Sequence, residues 1–223
     1  IYLIQEEFPY KGSHLTRRSV VTRVRLEEFS KGIVLPHEET SQGPKNDRME
    51  LLRATKANLS PIMGIYRDNS GEVGTIIKRV SETQPLAAAR YGDIAVKLWV
   101  VTDKDTLDII TKSMKAVPIY LADGHHRYET ALSYRDIQRA SRGLEWEAGY
   151  NFVMMSLIEI EDPGLLVLPY HRVIKGLSID QQEQILRLIH ENFDMEHMAT
   201  ETGVERDTGS YLEGHIEQGL GDK

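Results

Sequence analysis

Apolar runs of strand length recur along this chain in neighbouring pairs, each pair separated by a few turn-forming residues. No other feature constrains the fold as much. Ile1 to Phe8 and Ser19 to Leu26, where Val20, Val21 and Val24 sit among Arg17, Arg18, Arg23 and Arg25, flank Lys11-Gly12-Ser13. Ile62 to Tyr66 and Thr75 to Val80 flank Asp68-Asn69-Ser70-Gly71, and Tyr150 to Ile160 and Leu165 to Leu168 flank Asp162-Pro163-Gly164. Gly, Asp and Asn supply the backbone angles of tight turns, so each pair reads as an antiparallel hairpin. Helical spacing fills the intervals. One helix runs from Pro44 to about Asn58, and one is opened by Thr102 as N-cap and carried by Leu107, Ile110 and Met114. A third runs from Tyr128 to about Arg142, and a fourth from Ser178 to Phe193. Ile94 to Val101, anchored by Trp99, and Val117 to Leu121 read as further strands. The pattern predicts an α+β fold of mixed, largely antiparallel sheets with helices packed on them, not a doubly wound parallel sheet. Residues 1–195 are expected to form a single domain, and the polar, Gly-containing stretch 196–223 a tail or incomplete element.

Composition narrows the chemistry. The 223 residues include no cysteine, which excludes disulfides, thiolate zinc sites, iron–sulfur clusters and a cysteine nucleophile. Catalysis would have to come from His, carboxylates, hydroxyls and amines. With 27 basic against 34 acidic side chains the net charge is −7, which argues against a nucleic-acid partner, because such binding neutralises phosphates with clustered Lys and Arg. No apolar run approaches the roughly 20 residues that cross a bilayer, so no membrane partner and a cytoplasmic location are expected. The chain opens on Ile1-Tyr2-Leu3-Ile4, inside an apolar run and without an initiator Met, so a preceding segment is expected.

Asp123-Gly124-His125-His126-Arg127 stands between the short strand at 117–121 and a helix. A helix N-terminus carries unpaired N–H groups and about half a positive charge, so three potentially cationic side chains there are misplaced unless an anion joins them. Gly124 permits close approach or a positive φ. The run therefore points to phosphate binding by His125, His126 and Arg127. Two other readings stay open: Asp123 caps the helix beside neutral, hydrogen-bonded histidines, or Asp123, His125 and His126 hold a metal. A second constellation repeats the misfit. His37-Glu38-Glu39-Thr40 supplies two carboxylates, a candidate base in Glu38 and a Mg²⁺ ligand in Glu39, and Lys45 and Arg48 then open a helix with cations. The same charges can also pair with one another across a solvated loop. If folding brings the two helix starts together, they make a phosphate pocket edged with acids.

Pro36-His37-Glu38-Glu39-Thr40, Gly43-Pro44-Lys45-Asn46-Asp47-Arg48, Ala57-Asn58-Leu59-Ser60-Pro61-Ile62 and Ala122-Asp123-Gly124-His125-His126-Arg127-Tyr128-Glu129-Thr130-Ala131 resemble the uncharacterised bacterial and archaeal family called domain of unknown function 1015. Tyr170-His171-Arg172-Val173-Ile174 also fits. The family usually has a His before its Leu-Trp pair, where this chain has Lys97 before Leu98-Trp99. The Asp-Gly-His-x-Arg run is further similar to that of free-serine kinases of the ParB/sulfiredoxin-like superfamily. That resemblance implies a ParB/sulfiredoxin-like core and a nucleotide-phosphate site at His125, His126 and Arg127; with Gly124 at the same turn, Lys45, Arg48 and His37 are expected to stabilise the charge on the transferred group. It also implies Asp123 at the transferred phosphoryl or its Mg²⁺, Glu38 as base, ATP or ADP as donor, and a small hydroxyl-bearing metabolite as acceptor. A nucleotide-sensing module, a metal-dependent phosphohydrolase on Asp123, His125 and His126, and a site-less interaction domain are the competing readings. Gly214-His215-Ile216-Glu217-Gln218-Gly219 resembles a segment of zinc amidohydrolases, but it stands without the further metal ligands those enzymes need.

Overall fold

The computed structural model describes residues 1–168 and 175–194, and the chain divides into two compact units, Ile1–Leu166 and Val167–Lys223. The first unit contains one eight-stranded mixed sheet. In chain order it comprises β1 (Tyr2–Tyr10), β2 (Ser13–Arg25), β3 (Val34–Leu35), α1 (Gln42–Thr55), β4 (Ile62–Tyr66), α2 (Glu72–Ser81), β5 (Ala87–Tyr91), β6 (Ile94–Val100), α3 (Lys104–Met114), β7 (Ile119–Asp123), α4 (His125–Arg142) and β8 (Phe152–Glu159). The strand order is β3-β7-β4-β8-β2-β1-β6-β5. Only β3 with β7 and β4 with β8 run parallel; the other five pairings are antiparallel. The α+β class therefore holds, with a single sheet in place of several.

The hairpin about Lys11-Gly12 forms as the turn residues predict, pairing Tyr2 with Val21 through to Tyr10 with Ser13. The second expected hairpin does not. Residues 75–80 belong to the helix α2, in which Val73, Ile76, Ile77 and Val80 recur at helical spacing. Asp68 fixes its start, accepting the N–H groups of Gly71 at 3.0 Å and Gly74 at 2.8 Å. A capping carboxylate and a 3.6-residue period outweigh the β-branched content of Thr75-Ile76-Ile77. The third hairpin is also absent: Leu165 to Leu168 form no strand. Both edges of β8 are already occupied, by β2 and β4, so no partner remains for a returning strand. Two helix starts shift as well. Asp103, not Thr102, caps α3 by accepting the Thr106 N–H at 2.9 Å, and α1 begins two residues before Pro44, behind Ser41. Pro44 stays within the first turn, where an N–H has no intrahelical partner.

Alternate strand residues face a common core. Ile62 and Tyr66, Ile119 and Leu121, and Val153, Met155 and Leu157 are buried with Val73 of α2 and Tyr128, Ala131 and Leu132 of α4 in one cluster. Helix α4 is also tied to the chain after β2. The Tyr128 hydroxyl donates to the Glu27 carbonyl at 2.9 Å and accepts the Glu27 N–H at 3.0 Å, while the buried Arg135 donates to the Leu26 carbonyl at 3.0 Å and pairs with Glu28. These bonds fix where the first turn of α4 points. The second unit carries α5 (Ile179–Asn192) among its described residues, opened by a reciprocal Ser178–Gln181 capping box. That helix matches the spacing of Ile185, Leu186 and Ile189. The expected tail at 196–223, the Gly214–Gly219 motif and the Tyr170–Ile174 run lie outside the described residues. Among the described residues no helix is long and apolar enough to cross a membrane.

After β8 the chain folds back over β2. Asp162 accepts the Arg18 N–H at 3.1 Å and the Gly164 N–H at 2.9 Å, which lays Gly164 directly on the Arg17 backbone. A Cβ at 164 would stand 2.5 Å from Arg17 N and 2.6 Å from its Cα, contacts that rigid sheet backbone cannot relieve. Gly164→Ala is expected to lower unfolding stability by about 1–3 kcal/mol, the usual cost of overpacking, as read by urea denaturation. An unchanged midpoint would show that the loop moves away freely.

Candidate functional site

Strand β7 ends at Asp123, Gly124 takes the left-handed conformation at φ 94°, and α4 starts at His125. Glycine adopts this backbone without the strain a Cβ would bring, and a Cβ at 124 would lie 2.8 Å from Arg127 Nη2. The helix begins three residues earlier than Tyr128, where the apolar spacing places it, so both histidines lie in its first turn.

The structure brings the two helix starts together. His125 is 1% exposed, and its Nε2 accepts the His37 N–H at 3.2 Å. His126 Nε2 accepts the Ser41 N–H at 3.1 Å. Two neighbouring side chains on one turn thus hold the loop at 37–41 by its backbone. Because each Nε2 accepts, the ring proton of each neutral imidazole belongs on Nδ1. His125 Nδ1 lies 3.1 Å from Glu38 Oε1, close enough for attraction but out of line, and it makes no hydrogen bond although it is buried. The His37 and His125 rings lie 4.5 Å apart at 42°. Burial pushes the His125 pKa down, and the neighbouring His37 acts in the same direction while the Glu38 charge opposes it.

The remaining expected residues find partners of their own. Glu129 accepts from the Thr40 hydroxyl at 2.7 Å and from Lys45 Nζ at 3.0 Å, joining the loop, α1 and α4. Burial raises its pKa, but the Thr40 and Lys45 hydrogen bonds outweigh that and hold the carboxyl below its ordinary value. Arg127 pairs with Asp123 at 2.5 Å and donates to Ser60 Oγ at 2.9 Å and the Pro61 carbonyl at 2.5 Å. Arg48 is half-exposed and only 3.6 Å from Asp47. Lys45 is thus paired with Glu129 and Arg127 with Asp123, and the two histidines accept hydrogen bonds as neutral rings, so much of the misfit that called for an anion is met internally, with Arg48 the exception. Thr40, Ser60 and Glu129 were not singled out by sequence; Glu129 sits four residues past His125, on the same helical face, which is the signal that could have found it.

Between α1 and α4 lies a cleft of about 280 Å³, whose wall includes Arg48, Asn58, Ser60, Arg127 and Thr130. An arginine from each constellation lines it. Among the described residues, the only three metal-type ligands that converge are His37, Glu38 and His125, with their donor atoms within 4.8 Å. Those are two nitrogens and one oxygen, a set for a transition metal, not Mg²⁺. His125 Nε2 already accepts a hydrogen bond, so the tautomer in place puts a proton on the nitrogen that faces Glu38. The expected Mg²⁺ ligands, Asp123 and Glu39, are both exposed; Asp123 faces Arg127, and Glu39 makes no hydrogen bond or ion pair with the described residues.

A histidine held neutral by burial adds stability above its unfolded pKa of about 6.5 and loses it as pH falls through that value towards the lower folded one. Protonation of His125 would also turn Nε2 from acceptor to donor against the His37 N–H. Urea midpoints measured across this window are expected to fall with pH in the parent protein and to flatten in His125→Gln; parallel curves would count against the clamp.

A model of the family described as Protein of unknown function (DUF1015) matches residues 1–219. Comparison with curated proteins and with solved structures gave no match. The matched span takes in both the loop at 37–41 and the turn at 123–127 that hold each other across the site, and the chain belongs to the DUF1015 family.

Proposed function

We propose that the protein is a nucleotide-dependent phosphotransferase acting on a small hydroxyl-bearing metabolite, with ATP or ADP as donor and a ParB/sulfiredoxin-like core. The observation that carries this reading is the Glu38 carboxylate, half-exposed, standing 3.1 Å from the buried Nδ1 of His125 on the turn that also sends Arg127 into the cleft shared with Arg48. A neutral imidazole N–H beside a carboxylate steadies its charge without protonating it, as a general base requires. In the reaction, the acceptor hydroxyl gives its proton to Glu38 as its oxygen bonds to phosphorus, and the bond from phosphorus to the departing nucleotide oxygen breaks. Arg48 and Arg127 face the charge spread over the transferred group, with His37, His126 and Lys45 behind them. Asp123 and Glu39 would hold Mg²⁺, which would neutralise part of the phosphate charge.

A second reading, a nucleotide-sensing module without turnover, draws support from one fact: Arg127 and Lys45 already face Asp123 and Glu129. Isothermal titration with ATP and ADP, with and without Mg²⁺, tests both. Saturable binding is expected, weakened about tenfold in Arg48→Gln through loss of a charge-assisted contact; no heat at millimolar nucleotide would overturn the proposal. Glu38→Gln is expected to keep nucleotide affinity while lowering phosphoryl transfer by about 10²–10⁴-fold. Unchanged transfer in that variant removes Glu38 from its role, and binding with no transfer in the parent leaves the sensor.

A further inference from the structure

The cleft lined by Arg48 and Arg127 does not stand alone. Leu52, Asn58 and Ala131, which line it, also line a second cleft of about 190 Å³, so the two adjoin along the seam between α1 and α4. Tyr134 and Tyr150 give this second compartment aromatic walls, and Gln138 adds a side-chain amide to that of Asn58. We propose that it binds the base of a nucleotide whose phosphates lie at Arg48 and Arg127, and that the base is adenine. The inference rests on the nucleotide reading of the candidate site and assigns the part of the ligand that is not phosphate.

Helical spacing builds both compartments. On α4, Arg127, Ala131, Tyr134 and Gln138 fall on one face, and on α1 Arg48, Leu52 and the C-cap Lys56 do the same. With a rise of about 1.5 Å per residue, about 10 Å of helix separates Arg127 from Tyr134. That is the reach of an extended nucleoside diphosphate from its phosphates to its base. Tyr150 belongs to the short 3₁₀ helix Gly149–Asn151. The buried Asn151 fixes that helix, donating to the Glu145 carbonyl at 2.6 Å and accepting from Arg139 at 2.8 Å.

Charge selects an anionic ligand. Among the described residues the two walls carry four cations, Arg48, Lys56, Arg127 and Arg142, and no carboxylate, in a chain of net charge −7. Arg127 is paired with Asp123, whereas Lys56 and Arg142 make no ion pair with the described residues. The Asn58 and Gln138 amides and the Tyr134 hydroxyl likewise make no hydrogen bond with them. Phosphate binding needs neither amides nor aromatic rings, but a base uses both. An amide presents a donor and an acceptor side by side, which match N7 and the amino group of adenine. A tyrosine ring or a guanidinium stacks on the face of a base.

Isothermal titration of the full chain with ADP, UDP and pyrophosphate tests the assignment. ADP is expected to bind about tenfold more tightly than pyrophosphate, a factor that stacking of one base supplies. UDP, with a smaller ring and no amino group, is expected to bind more weakly than ADP. Tyr134→Ala should bring ADP down to the affinity of pyrophosphate and leave pyrophosphate itself unchanged. Gln138→Leu, similar in volume and as good a helix former, should keep the melting temperature of the parent. It should weaken ADP about fivefold through the lost hydrogen bond, again without changing pyrophosphate. Equal affinity for ADP and pyrophosphate, UDP binding as tightly as ADP, or an ADP preference that survives both variants would each overturn the proposal while leaving a phosphate site at Arg48. Heat from none of the three ligands would overturn the nucleotide reading itself, and the base site with it.

Discussion

The site rests on two hydrogen bonds that run from a loop backbone into neighbouring histidine rings. His125 and His126 accept the N–H groups of His37 and Ser41, and everything the loop carries is placed by that pair of contacts. Backbone donors leave no choice about direction, since an amide N–H can only donate. The imidazoles must therefore be neutral and protonated at Nδ1. From this one requirement follow the N–H beside Glu38, the absence of histidine charge at the helix start, and the poor fit of a metal at His125.

The clamp also depends on the frame behind it. Strand β7 lies between β3 and β4 in the sheet, and it runs straight into Gly124 and α4, so the helix start has no freedom of its own. Tyr128 and Arg135 bind the same helix to residues 26–28 from further along its length. Glu129 completes the arrangement by joining Thr40 and Lys45. Helix α1 and the loop are thereby bound to α4 by hydrogen bonds through carboxylate, hydroxyl and ammonium groups, while the apolar core sits against the sheet.

Much of this was legible in the residues, and the failures have definite causes. Turn chemistry located the β1–β2 hairpin, and helical spacing located α3, α4 and α5. The spacing of Val73, Ile76, Ile77 and Val80 was equally present, but a run of β-branched residues after an Asp-Asn-Ser-Gly turn resembles a hairpin until Asp68 is seen to cap a helix. Leu165 to Leu168 failed for a non-local reason: strand pairing needs a free edge, and β8 has none. At the site, both constellations were visible as misplaced cations. What could not be read was their mutual position, because residues 37–48 and 123–129 are joined only through the sheet. Once they meet, much of the apparent electrostatic misfit is resolved by partners such as Glu129 that no local pattern isolates.

The two unpaired buried atoms among the described residues place this residual misfit better than the cations did. An exposed charge at a helix end is screened and easily compensated, whereas a buried donor without an acceptor has no such remedy and persists only where something else stabilises it. Among the described residues His125 Nδ1 is one such donor, turned towards a carboxylate it does not quite reach, and the fully enclosed Tyr66 hydroxyl is the other. They occupy different parts of the unit, one at the turn that opens α4 and one on the last residue of β4. The polar groups around them are otherwise well satisfied, as Tyr128, Arg135 and Asn151 show. In a chain that pairs those groups so fully, His125 Nδ1 and the Tyr66 hydroxyl stand out among the described residues as costs carried by the fold itself.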